Sequence, residues 1–424
     1  MRYKWFTLNK DVFLVKGAKR GALYDLKKGS VYSINERSTE IIDKCEKGDS
    51  LKNIAKKENL PINEILKYLK KLQILGLGQF VDKKEKLVKK ILPSFKKYQL
   101  GFIWLEITEK CNLKCLHCYN EGDRTTAEEN LTLKDWIGIL KEAKKLGCKN
   151  CQFIGGEPFL CQENLFYLIS VAKRLGYKFI EIFTNATLLN ESILKRVAKL
   201  RVNLAISLYA IRPAIHDQIT QVKGSFGKTS KAIKIAKKLN IPLRIAVIIM
   251  KQNQNSAKET LNFLKKELHI RNIGYDVVRP SGRGCNSNLI PAKNIRQLSL
   301  RKTAKFPKFT KEDFLRRRFG HNCFVNRVCI TASGNVIPCI MKRNEILGNL
   351  KEKSLRQILY SKKGQEFIRL SKDHIEVCKD CEYRYACFDC RVKTNDAENL
   401  YAKSSDCFYN PYTGIWEQKE VRDR

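Results

Sequence analysis

Two hydrophobic periods alternate along the chain. Over residues 1–80 the apolar positions first come in short runs, KWFTL, VFLVKG, GALYDL and SVYSIN, broken at Asn9-Lys10-Asp11 and Lys27-Lys28-Gly29. Runs of that length between turn residues predict short β-strands. The period then changes. NERSTEIIDKCEKG, DSLKNIAKKENL and PINEILKYLKKLQILG place apolar residues three and four apart, which predicts three helices. Asn35 is placed to cap the first and Gly48 to stop it. Small strands followed by three helices predict a winged-helix-like domain over 1–80. Residues 81–99, VDKKEKLVKKILPSFKKYQ, read as a basic linker or connecting helix.

From residue 100 to 284 strand-like and helix-like segments alternate. The strands are GFIWLEI, CQFIG, KFIEIFT, VNLAISL, PLRIAVIIM and IGYDVV, and helical patterns such as TLKDWIGILKEAKKLG and SAKETLNFLKKELH lie between them. Such alternation predicts an α/β domain with a parallel sheet, either doubly wound or a partial barrel. In both, chemistry sits at the carboxyl ends of the strands. Residues 285–320 are basic and poorly patterned and read as a bridge. Residues 321–410 are rich in cysteine and hold few long periodic elements, so metals hold such a segment more than a core does. The last dozen residues read as frayed.

Composition narrows the setting. The chain has 424 residues, 43% of them hydrophobic, enough for two or three domains. No apolar run is long enough to span a membrane, and MRYKWFTLNKD lacks the apolar core of a signal peptide; a cytoplasmic protein is expected. Lys and Arg number 82 against 43 acidic residues, a net charge of +39. That suits an anionic partner such as an acidic peptide, RNA or a membrane surface, or equally a solvated lysine-rich surface, since the lysines form no single block. Sixteen cysteines in a cytoplasmic chain point to metal rather than disulfides.

EKCNLKCLHCYNE, residues 109–121, follows the first strand of the α/β region and puts Cys111, Cys115 and Cys118 in eight positions. Three arrangements suit it. One is a zinc site completed by His117. Another is a ferredoxin cluster, but the Cys-Pro such a loop needs is missing after Cys118. The last is a 4Fe–4S cluster with one iron open to substrate or cofactor. CQFIGGEPF, residues 151–159, ends the next strand. Gly155 and Gly156 allow close backbone approach to a ligand, and Glu157 adds a carboxylate suited to an ammonium group.

The Cys-x3-Cys-x2-Cys loop after the first strand, with Gly-Gly-Glu-Pro after the second, resembles the radical S-adenosylmethionine superfamily. The resemblance implies a partial (β/α)6 barrel in which Cys111, Cys115 and Cys118 hold a 4Fe–4S cluster. S-adenosylmethionine would chelate the open iron, with Glu157 and the Gly155 and Gly156 backbone meeting its amino group. His117 stands where relatives often have an aromatic beside the adenine. Ser207 fits a polar contact to the cofactor and Arg244 a carboxylate partner. TNAT, residues 184–187, resembles the Thr-Asn-Gly of relatives with Ala186 for Gly. An electron from a donor such as flavodoxin or ferredoxin would break the sulfonium and give a 5′-deoxyadenosyl radical, in a site kept dry.

The second cysteine batch reads Cys323-x5-Cys329-x4-Gly334-x4-Cys339, then Cys378-x2-Cys381-x5-Cys387-x2-Cys390, and Cys407 after sixteen residues. Two zinc ribbons or two closed 4Fe–4S clusters would use eight cysteines. The spacing resembles the SPASM extension of radical S-adenosylmethionine enzymes, with two residues in the last gap where relatives often have three. That resemblance implies one auxiliary cluster on Cys323, Cys329, Cys339 and Cys390 and another on Cys378, Cys381, Cys387 and Cys407, three clusters in all. The N-terminal domain resembles the pyrroloquinoline-quinone-chaperone-like recognition element of ribosomal-peptide maturases, which binds a leader peptide as an added strand. A precursor peptide with a leader is the expected partner, an acidic one best suited to the basic chain, with no membrane and with nucleic acid disfavoured. The implied reaction is peptide modification, with a thioether or carbon–carbon crosslink favoured over epimerisation. An epimerase needs a hydrogen donor such as Cys285. Ile340 stands where sulfatase-maturating relatives carry an Asp base, which argues against that reaction. A small-molecule cofactor-pathway enzyme and a zinc-bearing DNA-binding protein are the alternatives.

Overall fold

The structure is a computed structural model, and it describes residues 4–84, 88, 98–120, 130–292, 295, 304–396 and 399–416. Most of the predicted linker at 81–99 therefore lies outside the described residues. In the N-terminal region, strands β1 (Trp5–Leu8) and β5 (Gly78–Val81) pair antiparallel. Strands β2 (Val12–Lys16), β3 (Gly21–Asp25) and β4 (Ser30–Ile34) form an antiparallel sheet in that order. Helices α1 (Glu36–Glu46), α2 (Leu51–Glu58) and α3 (Ile62–Ile74) pack with them over a core that includes Phe6, Leu23, Ile42 and Leu69. Asn35 caps α1, its side chain accepting from the Ser38 N–H at 2.8 Å, as the pattern predicts.

Six parallel strands follow: β6 (Phe102–Thr108), β7 (Asn150–Gly155), β8 (Phe179–Thr184), β9 (Asn203–Ser207), β10 (Leu243–Ile249) and β11 (Asn272–Val277). Each pairs with its neighbour in sequence. Across these six strands the order never reverses. That settles the choice between the two α/β architectures: it is a partial barrel, with every carboxyl end on one rim. Helices between the strands close its outside through a core that includes Trp136, Leu140, Leu165, Ile169 and Leu194. No helix among the described residues is long and apolar enough to cross a membrane.

Three features differ from expectation. Residues 285–320 are not without pattern: a helix spans Lys311–Phe319, opened by a Thr310/Asp313 capping box. The Thr-x-x-Asp signal is legible, but Arg316, Arg317 and Arg318 obscure the apolar face. The cysteine-rich segment does not stand apart either. Its strand β12 (Arg327–Ile330) pairs parallel with β6, and β13 (Asn335–Ile337) and β14 (Gly348–Asn349) continue the same nine-stranded sheet. Its Phe324, Val328 and Val336 belong to the barrel core. At the C-terminus, part of the stretch read as frayed is ordered: β16 (Ile415–Trp416) pairs with β15 (Tyr409–Asn410), and the Trp416 ring lies 4.9 Å from that of Tyr409. A buried aromatic cluster repays the ordering of that short hairpin.

The N-terminal sheet is docked on the second half of the cysteine-rich segment. Phe13 and Tyr24 from β2 and β3 share a core with Phe314, Tyr383 and Tyr385, and the Tyr24 hydroxyl donates to the Glu382 carbonyl at 2.8 Å. Tyr24→Ala removes a fully buried ring and should destabilise the protein by about 3–5 kcal/mol, whereas Tyr24→Phe should lose only about 1 kcal/mol for the hydrogen bond. Denaturant titration measures the difference, and hydrogen exchange over residues 13–25 localises it.

Candidate active site

β6 ends at Thr108, and the chain turns at once into the three-cysteine loop. That loop is fixed from three sides by backbone. Gly156 N–H donates to the Thr108 carbonyl at 2.7 Å and Glu157 N–H to the Lys110 carbonyl at 2.8 Å. Lys114 and Leu116 N–H donate to Thr220 and Ile219 carbonyls at 3.1 and 2.9 Å. Arg283, from the RPSGRG stretch, donates from its backbone N–H to the Cys118 carbonyl and from Nε to the Cys115 carbonyl, each at 3.0 Å. The crossing at the end of β7 is possible only for glycine. A Cβ on Gly155, whose φ is +140°, would stand 2.1 Å from the Thr108 oxygen, and one on Gly156 would stand 2.0 Å from the Lys110 oxygen.

Cys111, Cys115 and Cys118 line one wall of a cavity of about 400 Å³, within the usual range for a small-molecule site. Gly155 and Gly156 border it, Ser207 and Tyr209 lie across it, and Ile340 and Met341 close it from the cysteine-rich segment. Burial pushes the Cys111 thiol up to about 11 and the Cys115 thiol to about 12, and the neighbouring cysteines add to both. Neutral thiols are thus what the empty protein keeps there, and iron binding displaces their protons. Burial, then Arg283, lowers His117 to about 4. Its neutral ring stands edge-on to Tyr209 at 4.7 Å, with Nδ1 buried and without a partner. An orphaned ring nitrogen, a glycine-only backbone edge and three thiols lining one cavity together suit a cluster with a polar ligand beside it.

The remaining residues expected here fall out differently. Glu157 is fully buried and is not part of the cavity wall. Oε1 accepts from the Thr184 hydroxyl at 2.7 Å and from Phe159 N–H at 3.1 Å, and Oε2 from Asn185 N–H at 2.8 Å. Burial raises its carboxyl to about 7 against those three donors. Its side chain braces β7 to β8, and the Gly155 and Gly156 backbone is what faces the cavity. Arg244 lines the cavity, but its guanidinium is bidentate to Glu181, at 3.2 and 2.7 Å. Cys285 is exposed at the end of a short turn and does not border the cavity, so the structure does not bring it to a donor position. Ala186 has φ +62°, which accounts for the Gly expected in its place.

Sequence reasoning missed several residues. Arg283 clamps the loop. Asn185 donates to Asn112 Oδ1 at 2.9 Å and approaches Cys111 Sγ at 3.8 Å. Tyr209 is held by Asn253, whose Nδ2 donates to its carbonyl at 2.8 Å. The Asn of TNAT was a visible signal; the other contacts are long-range and left none.

The eight later cysteines gather in two groups. The Cys323 thiol is raised to about 12, first by burial and then by Cys390 and Cys339. Cys329, on β12, is fully buried against Glu106 with Cys339 near. Burial likewise raises Cys378 to about 12, with Cys387 and Cys407 among its neighbours, and Cys381 faces Cys387 and Cys378. The spacing of the chain alone does not give this crossed grouping, in which Cys390 leaves its near neighbour Cys387. Among the described residues, no three Cys, His, Asp or Glu side chains converge as a single metal ion requires.

The Radical SAM superfamily profile matches residues 105–264, and the SPASM iron-sulfur cluster-binding domain profile matches residues 322–382. The chain is 26% identical over 347 residues to the AdoMet-dependent heme synthase of Methanosarcina barkeri, covering 72% of this chain and 95% of that protein. It is 27% identical over 318 residues to the antilisterial bacteriocin subtilosin biosynthesis protein AlbA of Bacillus subtilis, covering 70% of this chain and 69% of that protein. Its fold resembles the crystal structure of Streptococcus suis SuiB bound to precursor peptide SuiA, with a TM-score of 0.55 and 17% identity, over 94% of this chain and 98% of that one.

Gly156→Ala should displace the cysteine loop by enough to cut S-adenosylmethionine cleavage about a hundredfold. Gly138→Ala, in helix α4 (Leu133–Lys145) with nothing within 4 Å of the added carbon, should leave it unchanged. The yield of 5′-deoxyadenosine under dithionite reads both.

Proposed function

We infer that this chain, a radical S-adenosylmethionine enzyme with a SPASM iron–sulfur domain, modifies a ribosomally made precursor peptide, most directly by installing a thioether or carbon–carbon crosslink. One observation carries the reading: three half-buried thiols open onto a cavity, and the cysteine-rich segment closes the same cavity with Ile340 and Met341, next to Cys339.

When bound, S-adenosylmethionine on a reduced 4Fe–4S cluster supplies a 5′-deoxyadenosyl radical, able to take hydrogen from an unactivated carbon. The protein's own part is placement. Cys111, Cys115 and Cys118 would hold three irons of the cluster. The Gly155 and Gly156 edge would receive the polar end of the ligand, with Ser207 opposite. His117 and Tyr209 present ring surface, and Ile154, Ile248 and Val277 keep the cavity wall apolar, which excludes water that would quench a radical. A crosslink removes two hydrogens from the peptide, one as a hydrogen atom and one as a proton plus an electron. Cys323, Cys329, Cys339 and Cys390 would hold one closed cluster and Cys378, Cys381, Cys387 and Cys407 another, and such clusters would supply an acceptor for that electron. Ile340 puts an alkyl group, not a base, on the cavity wall.

The substrate class is supported by the N-terminal region. Its three-stranded sheet leaves the outer edge of β4 unpaired among the described residues, a place where an extended leader can add as a strand. AlbA is named for bacteriocin biosynthesis and SuiB was crystallised with its precursor peptide. The heme synthase similarity favours a second reading, a small-molecule substrate of a cofactor pathway.

The test is reaction with a short precursor peptide encoded beside this chain. A loss of about 2 Da, localised by tandem mass spectrometry, marks a crosslink, and an unchanged mass with solvent deuterium uptake marks epimerisation. Peptide lacking its leader should be modified at least about tenfold more slowly; equal rates with and without the leader would end the recognition role of residues 1–80. Anaerobically purified protein should hold about twelve irons, and Cys115→Ala should abolish 5′-deoxyadenosine formation.

A further inference from the structure

Several buried or half-buried cations surround the two closed cysteine groups, among them Arg317, which faces Cys387 and donates to the Tyr385 and Ala386 carbonyls; of those that face the group of Cys323, Cys329, Cys339 and Cys390, all but one have a carboxylate partner. Arg279 donates to Asp276 from Nε at 2.8 Å and from Nη2 at 2.5 Å. Arg343 donates to Glu106 from Nη1 at 2.8 and 3.1 Å. Lys372 lies 2.7 Å from Asp389. Arg327 is the exception. It is the first residue of β12, between Cys323 and Cys329 in sequence. Its guanidinium lies over the Trp104 ring of β6, 5.8 Å from the centroid. Its Nε–H is buried with no acceptor, and among the described residues no carboxylate pairs with it. The groups of opposite character that it faces are the Cys323 and Cys339 thiols.

A guanidinium in such a place keeps its proton, and a half-buried charge with no carboxylate beside it is only partly compensated. The Trp104 ring offsets part of the loss, and neutral thiols offset little. A closed cluster carrying four thiolates has net negative charge, and one-electron reduction makes it more negative while Arg327 stays as it is. A fixed cation at that distance favours the reduced form, because charge and hydrogen bonding around the sulfurs set a cluster's potential.

We propose that Arg327 is the counter-charge of the auxiliary cluster on Cys323, Cys329, Cys339 and Cys390, and that it raises that cluster's reduction potential above what the four thiolates alone would give. It is a positioning residue: it touches neither cavity nor substrate. The cluster it serves is the one whose ligand Cys339 precedes the cavity residues Ile340 and Met341, so the proposal makes the cavity-side cluster the readier acceptor of an electron leaving the site. It rests on the ligand set proposed above and not on the peptide substrate.

The test is an EPR-monitored potentiometric titration of the full chain. A background with Cys111, Cys115 and Cys118 changed to Ala reports the two auxiliary clusters alone. Arg327→Gln should shift one auxiliary midpoint to lower potential with the other unmoved, and Arg327→Lys should restore most of the shift. Loss of one cluster's iron in Arg327→Gln but not in Arg327→Lys would equally support a counter-charge needed for assembly. Unchanged midpoints with full iron in Arg327→Gln would overturn the proposal, as would a shift confined to the cluster that Cys378→Ala removes, or loss of iron in both variants. Absence of auxiliary clusters from the unsubstituted chain would instead refute the ligand set.

Discussion

β6 is the strand on which the rest of the molecule depends, because it is paired on both sides with strands that carry chemistry. On one side its ladder with β7 sets Thr108 opposite Gly155, and that register lets the Gly155 and Gly156 backbone cross under the cysteine loop. On the other side its ladder with β12 sets Trp104 opposite Cys329 and Leu105 opposite Ile330. One strand thus fixes both the open three-cysteine loop at its carboxyl end and a closed-site cysteine beside its middle. Parallel pairing is strict about register, since a slip by one residue would turn Cys329 to the other face. The distance between the two kinds of site is therefore a property of a buried hydrogen-bonded ladder, not of a flexible interdomain contact.

That ladder also explains the polar groups the core tolerates. Glu106 on β6 is fully buried, and burial raises its carboxyl while Arg343 opposes the rise. Breaking such a pair by removing one partner is far more damaging than never having had it. Arg343 comes from beyond β13, so the pair holds the cysteine-rich segment against the loop bearing Cys118 and Tyr119, whose ring lies 5.7 Å from the Arg343 guanidinium. The same logic governs the thiols. A buried neutral thiol is a small apolar group and packs at little expense, so this fold can form around its cysteines before they become anions.

Much of this was legible in the sequence. The strand and helix periods gave the barrel strands to within a residue or two, because the central strands β7, β8 and β9 are buried on both faces and read as near-continuous apolar runs; β11, mostly exposed, was marked by its short β-branched and aromatic run instead. The cysteine loop and Gly-Gly-Glu-Pro were legible because their chemistry requires those residue types at fixed spacing. What was hidden is long-range. That Glu157 would give its oxygens to Thr184 and Asn185, that Arg244 would meet Glu181, and that Arg283 would clamp the loop depend on which strand ends become neighbours. Also hidden was how the cysteine-rich segment joins the barrel: its first strands are too short to bury a core alone, and they complete one by extending an existing sheet.

The N-terminal docking ties the second cysteine group to the three-stranded sheet. The loop from Cys378 to Cys387 grips the β2–β3 hairpin: Ala18 N–H donates to the Asp380 carbonyl at 2.8 Å, and Arg384 Nη1 donates to the Lys16 carbonyl at 2.8 Å and to the Cys381 carbonyl at 2.9 Å. Gly17 is pressed so closely that a Cβ there would stand 2.8 Å from Glu382 N. A loop with only a short 3-10 turn over Cys378–Asp380 has little stability of its own and is shaped by what its cysteines bind. Order in that loop and seating of the three-stranded sheet are therefore one equilibrium. Anything that added to the sheet would bear on the same contacts, so the sheet and the Cys378–Cys387 loop are joined through backbone hydrogen bonds rather than through the cavity.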